Sequence, residues 1–185
     1  MDERENRLVE LVLKGNREAF EPLVTPYRKI LLNMAYRLSR NWEDAREISQ
    51  ETMFRAFRYL RTFDPERSFK NWLLQIMMNV WRSSQPRPLE PESLAELAAA
   101  APLGNPPEDR LRSETRSQIM ACLDGLSPRE REVFLLRDIE EMNVQETARA
   151  LGISALSVRV RLSSARKKIR LRIEKEFPHL LEGRR

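Results

Sequence analysis

The sequence predicts an all-α protein with two small helical domains, a four-helix domain at residues 1–84 and a helix-turn-helix domain at residues 110–185. Apolar residues recur at spacings of three and four in both regions, which is the period of an amphipathic helix. Strand-like alternation is no longer than chance would give. Residues 85–109 differ from both regions because they are rich in Pro and Ala. This composition predicts a flexible linker that lets the two domains occupy separate sites.

The first domain opens with two predicted helices. The first covers residues 4–14 and ends at Gly15. Its apolar side comprises Leu8, Leu11 and Val12. Asn16 is expected to cap the second helix with its side chain. The apolar stripe of the second helix comprises Ala19, Phe20, Leu23, Tyr27, Ile30, Leu31, Met34 and Leu38.

Two more helices complete the first domain. Asn41 is expected to cap the third helix, with Asp44 at the capping-box position. The buried residues of this helix are predicted to be Ala45, Ile48, Thr52, Ala56 and Phe57. The helix ends before a loop at residues 61–67, where Asp-Pro cannot continue it. Ser68 then caps a fourth helix over residues 69–83, with inward residues Trp72, Leu73, Ile76, Met77 and Val80.

The second domain contains three closely spaced helices. Ser127 can cap the first, with Pro128 at its first position and Glu130 closing a capping box. Asn143 can cap the second, which only Gly-Ile-Ser separates from the third helix and its cap, Ser154. The third helix carries an apolar stripe of Val158, Leu162, Ala165, Ile169 and Ile173. Two helices joined by a tight, glycine-containing turn predict a helix-turn-helix.

The face of the third helix opposite that stripe is strongly basic. No acidic residue interrupts the sequence between Arg159 and Arg172. A basic helix after a tight turn suits the major groove of DNA, where Lys and Arg neutralise phosphates. The formal charge of +5 and the pI near 9.7 agree with a polyanionic partner. The alternative is a solvated basic face on an ordinary helical bundle, and the helix-turn-helix pattern favours DNA binding over it.

Composition excludes several classes of function. Cys122 is the only cysteine and His179 the only histidine, so neither a disulfide framework nor a Cys/His metal site can form. Cys122 is expected to be buried. Carboxylate pairs such as Glu140 and Glu141 have no His, Cys or glycine-rich phosphate loop nearby, which predicts no catalytic site, cofactor or metal. The lack of a signal peptide or long apolar run predicts a cytoplasmic protein without membrane insertion.

Three motifs together resemble the extracytoplasmic-function (ECF) group of bacterial RNA polymerase sigma factors. The first is DAREISQETMFRAFR at residues 44–58, similar to the acid-rich helix that docks on polymerase in this family. The second is FDPERSFKNWLLQIMMN at residues 63–79, similar to the segment F-x(5)-F-x-x-W-L-x-x-I-x-x-N. The third is the helix-turn-helix at residues 126–166. The resemblance implies that a sigma domain 2-like unit recognises the −10 promoter element and a domain 4-like unit the −35 element.

The chain departs from the family pattern at several positions. Arg46 stands where the family usually has an acid, and Glu141 with the following Met replaces a common glycine. Leu156 with the following Ser stands where Gly-Thr is frequent. Ser163 and Ser164 replace larger polar or aromatic residues, which indicates a less familiar base preference.

By the same resemblance, the third helix of the first domain binds the clamp helices of core RNA polymerase. The residues implied for this polymerase-binding surface are Asp44, Glu47, Gln50, Glu51, Phe54 and Arg55. They combine mixed polar groups with one exposed aromatic anchor. Without the resemblance, these residues would fit the ordinary charged surface of a helix.

The loop and the fourth helix are implied to capture the unwound non-template strand at the −10 element. The implied residues are Phe63, Asp64, Arg67, Ser68, Lys70, Asn71, Gln75 and Asn79. Amide groups can hydrogen-bond an exposed base edge, while Lys and Arg follow the backbone. Trp72 is expected to be a core residue that supports this site from behind.

The third helix of the second domain is implied to read the −35 element as duplex DNA. The implied residues are Ser157, Arg159, Val160, Arg161, Ser163, Ser164, Arg166 and Lys167. Base-edge contacts are expected from Arg159, Val160, Ser163 and Ser164. Phosphate contacts are expected from Arg161, Arg166 and Lys167.

The expected partners are core RNA polymerase, through its clamp helices and flap, promoter DNA, and an anti-sigma factor of the kind that holds most family members inactive. Two other functions stay open. A conventional helix-turn-helix regulator would bind duplex DNA without polymerase, but it leaves residues 63–79 unexplained. An adaptor protein would bind other proteins and give no promoter specificity.

Overall fold

The structure is a computed structural model that describes residues 3–85, 118 and 120–178. The regular secondary structure in these residues is helical. This part of the chain contains no β-strand, which confirms the all-α fold class. None of its helices is long and apolar enough to cross a membrane.

The chain divides into two compact units, Met1–Leu103 and Gly104–Arg185. The predicted linker, residues 85–109, lies outside the described residues except for Gln85. Its boundaries, and those predicted for the two domains, therefore stay predictions.

The N-terminal unit is built on the packing of α3 (Trp42–Tyr59) against both α2 (Phe20–Ser39) and α4 (Phe69–Ser84). Helix α1 (Glu3–Leu13) lies against α2. The hydrophobic core consists of apolar side chains at helical spacing, including Leu23, Leu31, Met34, Ala45, Ile48, Ala56, Leu73, Met77 and Val80. Helix α3 is therefore central to this unit, and its remaining face is exposed.

Two helix starts in this unit follow the predicted caps. The side chain of Asn41 accepts a hydrogen bond from the backbone N–H of Glu43 at 2.8 Å. A capping box would require that bond to come from Asp44, so the box is not formed. The hydroxyl of Ser68 accepts from the N–H of Asn71 at 3.3 Å, as predicted for the start of α4.

Three further predictions about local structure in this unit are wrong. Asn16 makes no side-chain cap, because a 3-10 turn at Arg17–Ala19 precedes α2. Leu11 is exposed, since it lies about 200° around the helix from buried Val9. Phe57 is 38% exposed although its ring packs edge-on against Phe20, with 5.1 Å between centroids.

The C-terminal unit packs α5 (Pro128–Phe134) and α6 (Val144–Leu151) against α7 (Ala155–Glu176). A π-helical turn at Leu135–Ile139 extends α5. All three predicted caps are confirmed. Ser127 and Asn143 form capping boxes with Glu130 and Glu146, and the Ser154 hydroxyl accepts from the backbone N–H of Ser157 at 3.1 Å. The tight turn between α6 and α7 passes through Gly152, whose φ is 61°. This geometry is a helix-turn-helix with α7 as its second helix.

The predicted stripe of α7 is buried over its first half. Val158, Leu162 and Ala165 are in the core, whereas Ile169 and Ile173 are half-buried. Cys122 is buried as predicted. The start of α7 is therefore held firmly by α5 and α6, which fixes the orientation of its outward face.

Glu141 occupies a strained backbone position with φ of 60°, in the left-handed region that favours glycine. A side chain there costs about 1–2 kcal/mol. Glu141→Gly is therefore expected to stabilise the protein by about 0.5–1 kcal/mol, once the greater freedom of glycine in the unfolded chain is subtracted. Urea unfolding of the full-length chain would measure this difference.

Gly152→Ala is the reciprocal control for this prediction. A Cβ built on Gly152 meets nothing within 4 Å, so only backbone strain opposes it. This variant is expected to lose about 0.5–1 kcal/mol of unfolding free energy, because the strain exceeds what alanine gains by restricting the unfolded chain. Destabilisation by Glu141→Gly would show that its side chain makes a contribution larger than the strain.

Candidate functional site

All six residues predicted for the polymerase-binding surface line one groove of about 810 Å³ in the N-terminal unit. From α3 they are Asp44, Glu47, Gln50, Glu51, Phe54 and Arg55. The end of α4 forms the opposite wall, with Val80, Trp81, Ser83, Ser84 and Gln85. We call this feature the α3–α4 groove. Helical spacing on α3 positions its side chains, since residues three and four apart share a face.

The α3–α4 groove combines an acidic rim with exposed aromatic surface. Phe54 is 59% exposed, and Glu51 pairs with Arg55 at 2.7 Å. The carboxylates of Asp44 and Glu47 have no ion-pair partner among the described residues. The groove therefore offers negative charge and an apolar anchor to a partner with basic and apolar groups.

Trp81 is a groove residue that the sequence interpretation did not assign. It lies off the apolar stripe predicted for α4, and its side chain is half-buried. Its position off the apolar stripe is the sequence feature that could have indicated a partly exposed tryptophan. Trp81 widens the aromatic surface that begins at Phe54.

Phe63 does not take the role predicted for it at the −10 site. Its side chain is only 7% exposed, and its ring centroid lies 5.2 Å from those of Phe69 and Trp72. Because the rings of Phe69 and Trp72 pack against it, Phe63 exposes little surface that could contact a DNA strand. It anchors the loop from below instead.

The loop after Phe63 is ordered by its own side chains. Asp64 accepts from the backbone N–H of Glu66 at 3.0 Å and pairs with Arg67 at 3.2 Å. Both ionic side chains of that pair are about half exposed, so the pair is weak and Arg67 can exchange it for a phosphate. Asp64 and Ser68 thus hold the loop and the start of α4, while Arg67 remains accessible to DNA.

Asn71, Gln75 and Asn79 follow one another at intervals of four and share one face of α4. Asn79 is exposed and the other two are half-buried. Lys70 does not share this face, because it lies about 140° from Gln75 around the helix. Trp72 is half-buried rather than fully in the core, and helical spacing puts it about 20° from Asn79. An aromatic surface therefore borders the three amides.

The outward face of α7 brings together only part of the predicted −35 set. Arg159, Val160, Ser163 and Lys167 are exposed, and Arg161 is half-buried. Leu156, which was not predicted, joins them with 67% of its surface exposed. Leu156 stands where the family pattern often has glycine, and this departure is the sequence feature that could have identified it. The hydroxyl of Ser157 faces the cap, 2.9 Å from that of Ser154.

Two residues that were predicted to contact DNA form hydrogen bonds within the C-terminal unit instead. The Ser164 hydroxyl donates to Glu130 at 2.6 Å, so it is not available to a base edge. The Arg166 guanidinium donates two hydrogen bonds to Asp138, at 2.8 and 2.6 Å. These bonds raise the pKa of Arg166 and orient its guanidinium towards Asp138.

Much of the basic charge on α7 is compensated in the same way. Lys168 pairs with Glu130 at 2.7 Å, Arg170 with Glu174 at 2.9 Å, and Arg172 with Glu176 at 3.0 Å. Arg159, Arg161 and Lys167 have no such partner among the described residues. The cations of this face without a partner in the described chain therefore lie in the first two thirds of the helix.

Glu130 joins the start of α5 to α7. Its carboxylate is buried and accepts from the Ser127 N–H at 2.8 Å, as well as from Ser164 and Lys168. Burial alone would raise the pKa of Glu130, but the bonds from Lys168, Ser164 and Ser127 lower it to about 2. The ionised carboxylate thus fixes the orientation of α7.

Both units match models of sigma-factor regions. Residues 23–85 match Sigma-70 region 2, and residues 116–169 match Sigma-70, region 4. The chain is 30% identical over 156 residues to the RNA polymerase sigma-E factor of Streptomyces coelicolor, covering 82% of this chain and 84% of that protein. The chain belongs to the ECF family of RNA polymerase sigma factors. The match to region 2 also accounts for residues 63–79, which a conventional helix-turn-helix regulator leaves unexplained.

Other sigma factors show the same likeness. The chain is 30% identical over 156 residues to the ECF RNA polymerase sigma factor SigE of Mycolicibacterium smegmatis, covering 82% of this chain and 60% of that protein. The chain thus spans less than two thirds of SigE. The solved structure of CnrH in complex with the cytosolic domain of CnrY superimposes with a TM-score of 0.69 at 26% identity, covering 94% of this chain and 99% of CnrH.

Proposed function

We propose that this sigma factor binds core RNA polymerase and directs it to promoters with two recognition elements. The observation that carries the proposal is the convergence of all six predicted polymerase-binding residues on the α3–α4 groove. A matching region 4 in the same chain supplies the duplex-binding half of the activity. Catalysis belongs to the polymerase, so the chain needs no catalytic site of its own.

The N-terminal unit engages polymerase and the unwound strand through different surfaces. The α3–α4 groove receives the clamp helices, with Phe54 as the aromatic anchor and the acidic rim facing basic groups. On α4, Asn71, Gln75 and Asn79 bond the edges of unpaired bases in the −10 element. Trp72 provides a stacking surface beside them, and Arg67 follows the backbone.

The C-terminal unit inserts α7 into the major groove at the −35 element and contacts the polymerase flap. Arg159, Val160 and Ser163 face base edges, because they lie on the exposed side near the start of the helix. Arg161 and Lys167 bind phosphates. Ser164 and Arg166 support this arrangement from within the domain through Glu130 and Asp138.

Two adjacent lysines test the assignment of phosphate contacts. Lys167→Gln is expected to lower the slope of log affinity against log salt by about one for promoter binding by the sigma–polymerase complex, because one phosphate contact is lost. Lys168→Gln is the matched control. Its ammonium already pairs with Glu130, so the slope is expected to stay unchanged while stability falls. The reverse pattern would show that Lys168, not Lys167, contacts DNA.

An anti-sigma factor is proposed as the partner that controls this protein in the cytoplasm. The support is structural likeness to CnrH, which was solved in complex with the cytosolic domain of CnrY. A protein that covers the α3–α4 groove would exclude polymerase and keep the sigma factor inactive.

Run-off transcription on a fragmented-genome template library tests the proposed function. Core RNA polymerase would be assayed with and without the full-length chain. Discrete new start sites that share two upstream elements are the expected result, and they would also identify the promoter sequence. Sequence-specific duplex binding without any new start would favour a conventional regulator. An absence of both would favour the adaptor function.

A further inference from the structure

Two large apolar side chains stand exposed at the start of α7. Leu156 is 67% exposed and Val160 is 61% exposed. They are four residues apart, so they lie on the same side of the helix, opposite the buried Val158 and Leu162. Single exposed apolar residues are common on protein surfaces. A neighbouring pair on the face proposed to enter the major groove requires a more specific account.

The charges around this pair identify the kind of partner. Arg159, Arg161 and Lys167 surround it, and none has an acidic partner among the described residues. The next cations along the helix are paired, as with Arg166 and Asp138 at 2.6 Å. The exposed face therefore presents two apolar groups within a positive field. Its complement is a polyanion that offers apolar groups at defined positions.

Duplex DNA meets that description only where it contains thymine. In the major groove the apolar group on a base edge is the 5-methyl group of thymine, and aliphatic side chains contact it. We infer that Leu156 and Val160 read the methyl groups of two thymines in the −35 element. This inference rests on the proposed function and specifies the base chemistry that the C-terminal unit recognises.

The spacing of the two side chains limits where those thymines lie. Four residues of α-helix advance about 6 Å along the axis. Successive base pairs are separated by about 3.4 Å. The two methyl-sensitive positions are therefore expected about two base-pair steps apart, on one strand or on opposite strands of the same groove.

Replacement of thymine by uracil isolates the methyl group, because uracil keeps every hydrogen-bonding group of thymine. Two duplex libraries with a random core would be made, one with thymine and one with deoxyuridine. Each would be selected with full-length protein, alone and bound to core polymerase. Wild-type protein is expected to enrich two A·T positions by about fourfold each in the thymine library relative to the uracil library, the equivalent of one buried methyl group.

Variants of the exposed residues identify the side chain responsible. Leu156→Ala and Val160→Ala are each expected to abolish the methyl preference at one position and retain it at the other. Leu171→Ala is the matched control, because Leu171 is 56% exposed and lies about 22 Å further along the helix. It is expected to leave both preferences unchanged. Thermal unfolding should be the same for all three variants, since none of these side chains is buried.

Several outcomes would overturn the inference. Equal enrichment in the two libraries would show that methyl groups are not read. A methyl preference that survives Leu156→Ala and Val160→Ala would assign it to DNA shape or to another residue. Lower affinity for core polymerase in these variants, with base preferences intact, would assign the pair to a protein interface. New start sites in the transcription assay alongside any of these results would leave the sigma function standing.

Discussion

Phe54→Ala is expected to weaken binding to core RNA polymerase by about 30-fold or more. Truncation of a central aromatic anchor costs at least about 2 kcal/mol in a typical interface. Phe54 has the features of such an anchor, because it is 59% exposed and lies in the α3–α4 groove beside the carboxylates of Glu47 and Glu51. Affinity would be measured by competition with a labelled sigma factor for core polymerase.

Tyr59→Ala is the matched control for this experiment. Tyr59 is also an aromatic residue of α3 and is 47% exposed, but it does not line the groove. Its substitution is expected to leave polymerase affinity within about twofold, as is usual for residues outside an interface centre. Phe57 is less suitable because its ring packs against Phe20. Equal losses in the Phe54 and Tyr59 variants would contradict the assignment of the groove.

Glu130→Gln is expected to lower the free energy of unfolding by about 1.5–3 kcal/mol at neutral pH. Hydrogen bonds to a charged group contribute about that much. The Glu130 carboxylate accepts bonds from Ser127, Ser164 and Lys168. Glutamine keeps the shape of the side chain but removes the charge that attracts Lys168. Urea unfolding of wild type and variant at constant temperature would give the difference.

The effect of Glu130→Gln is expected to depend on pH. The pKa of Glu130 falls from 4.5 to about 2 on folding, so the folded state favours the ionised form. Its contribution is complete above about pH 4.5 and is lost as the pH falls towards 2. The difference between wild type and variant should therefore be constant above that range and shrink below it. A difference that grew with acidification would contradict the assignment.

Glu174→Gln provides the control for both measurements. This substitution removes the same charge from an exposed pair with Arg170 on α7. Exposed pairs between residues four apart contribute only about 0.3–0.5 kcal/mol. A loss as large as that of Glu130→Gln would mean that total charge, rather than the buried carboxylate, determines the stability.

Local sequence patterns were sufficient to predict the framework of the C-terminal unit. The Ser127–Glu130 and Asn143–Glu146 boxes each join residues three positions apart, so the sequence contains both partners in one short window. The bond from Ser164 to Glu130 spans 34 positions. No helical period or capping rule pairs those residues, because their contact depends on how α5 packs on α7. The part of the α7 surface that remains available to a partner could therefore be identified only from the structure.

The N-terminal unit shows a second reason why the sequence did not identify every residue of a site correctly. The family motif placed Phe63 and Lys70 in one functional segment, but the motif does not distinguish exposed from supporting residues. Phe63 is buried by Phe69 and Trp72. Lys70 could have been separated from Gln75 by helical spacing alone, since the two lie about 140° apart. Burial of Phe63 depends instead on the path of a loop, which spacing does not determine.

The ion pairs along α7 are expected to weaken the attraction of this protein to DNA of any sequence. Sequence-independent attraction to DNA grows with the number of cations that can displace counterions. Arg166 and Lys168 pair with Asp138 and Glu130, whose side chains are only 19% and 10% exposed, so these two cations are expected to add less to that attraction than unpaired ones. A chain with a pI near 9.7 would thereby be held less strongly by the excess of non-promoter sites than its total charge implies. The proposed promoter contacts would then compete with fewer non-specific ones.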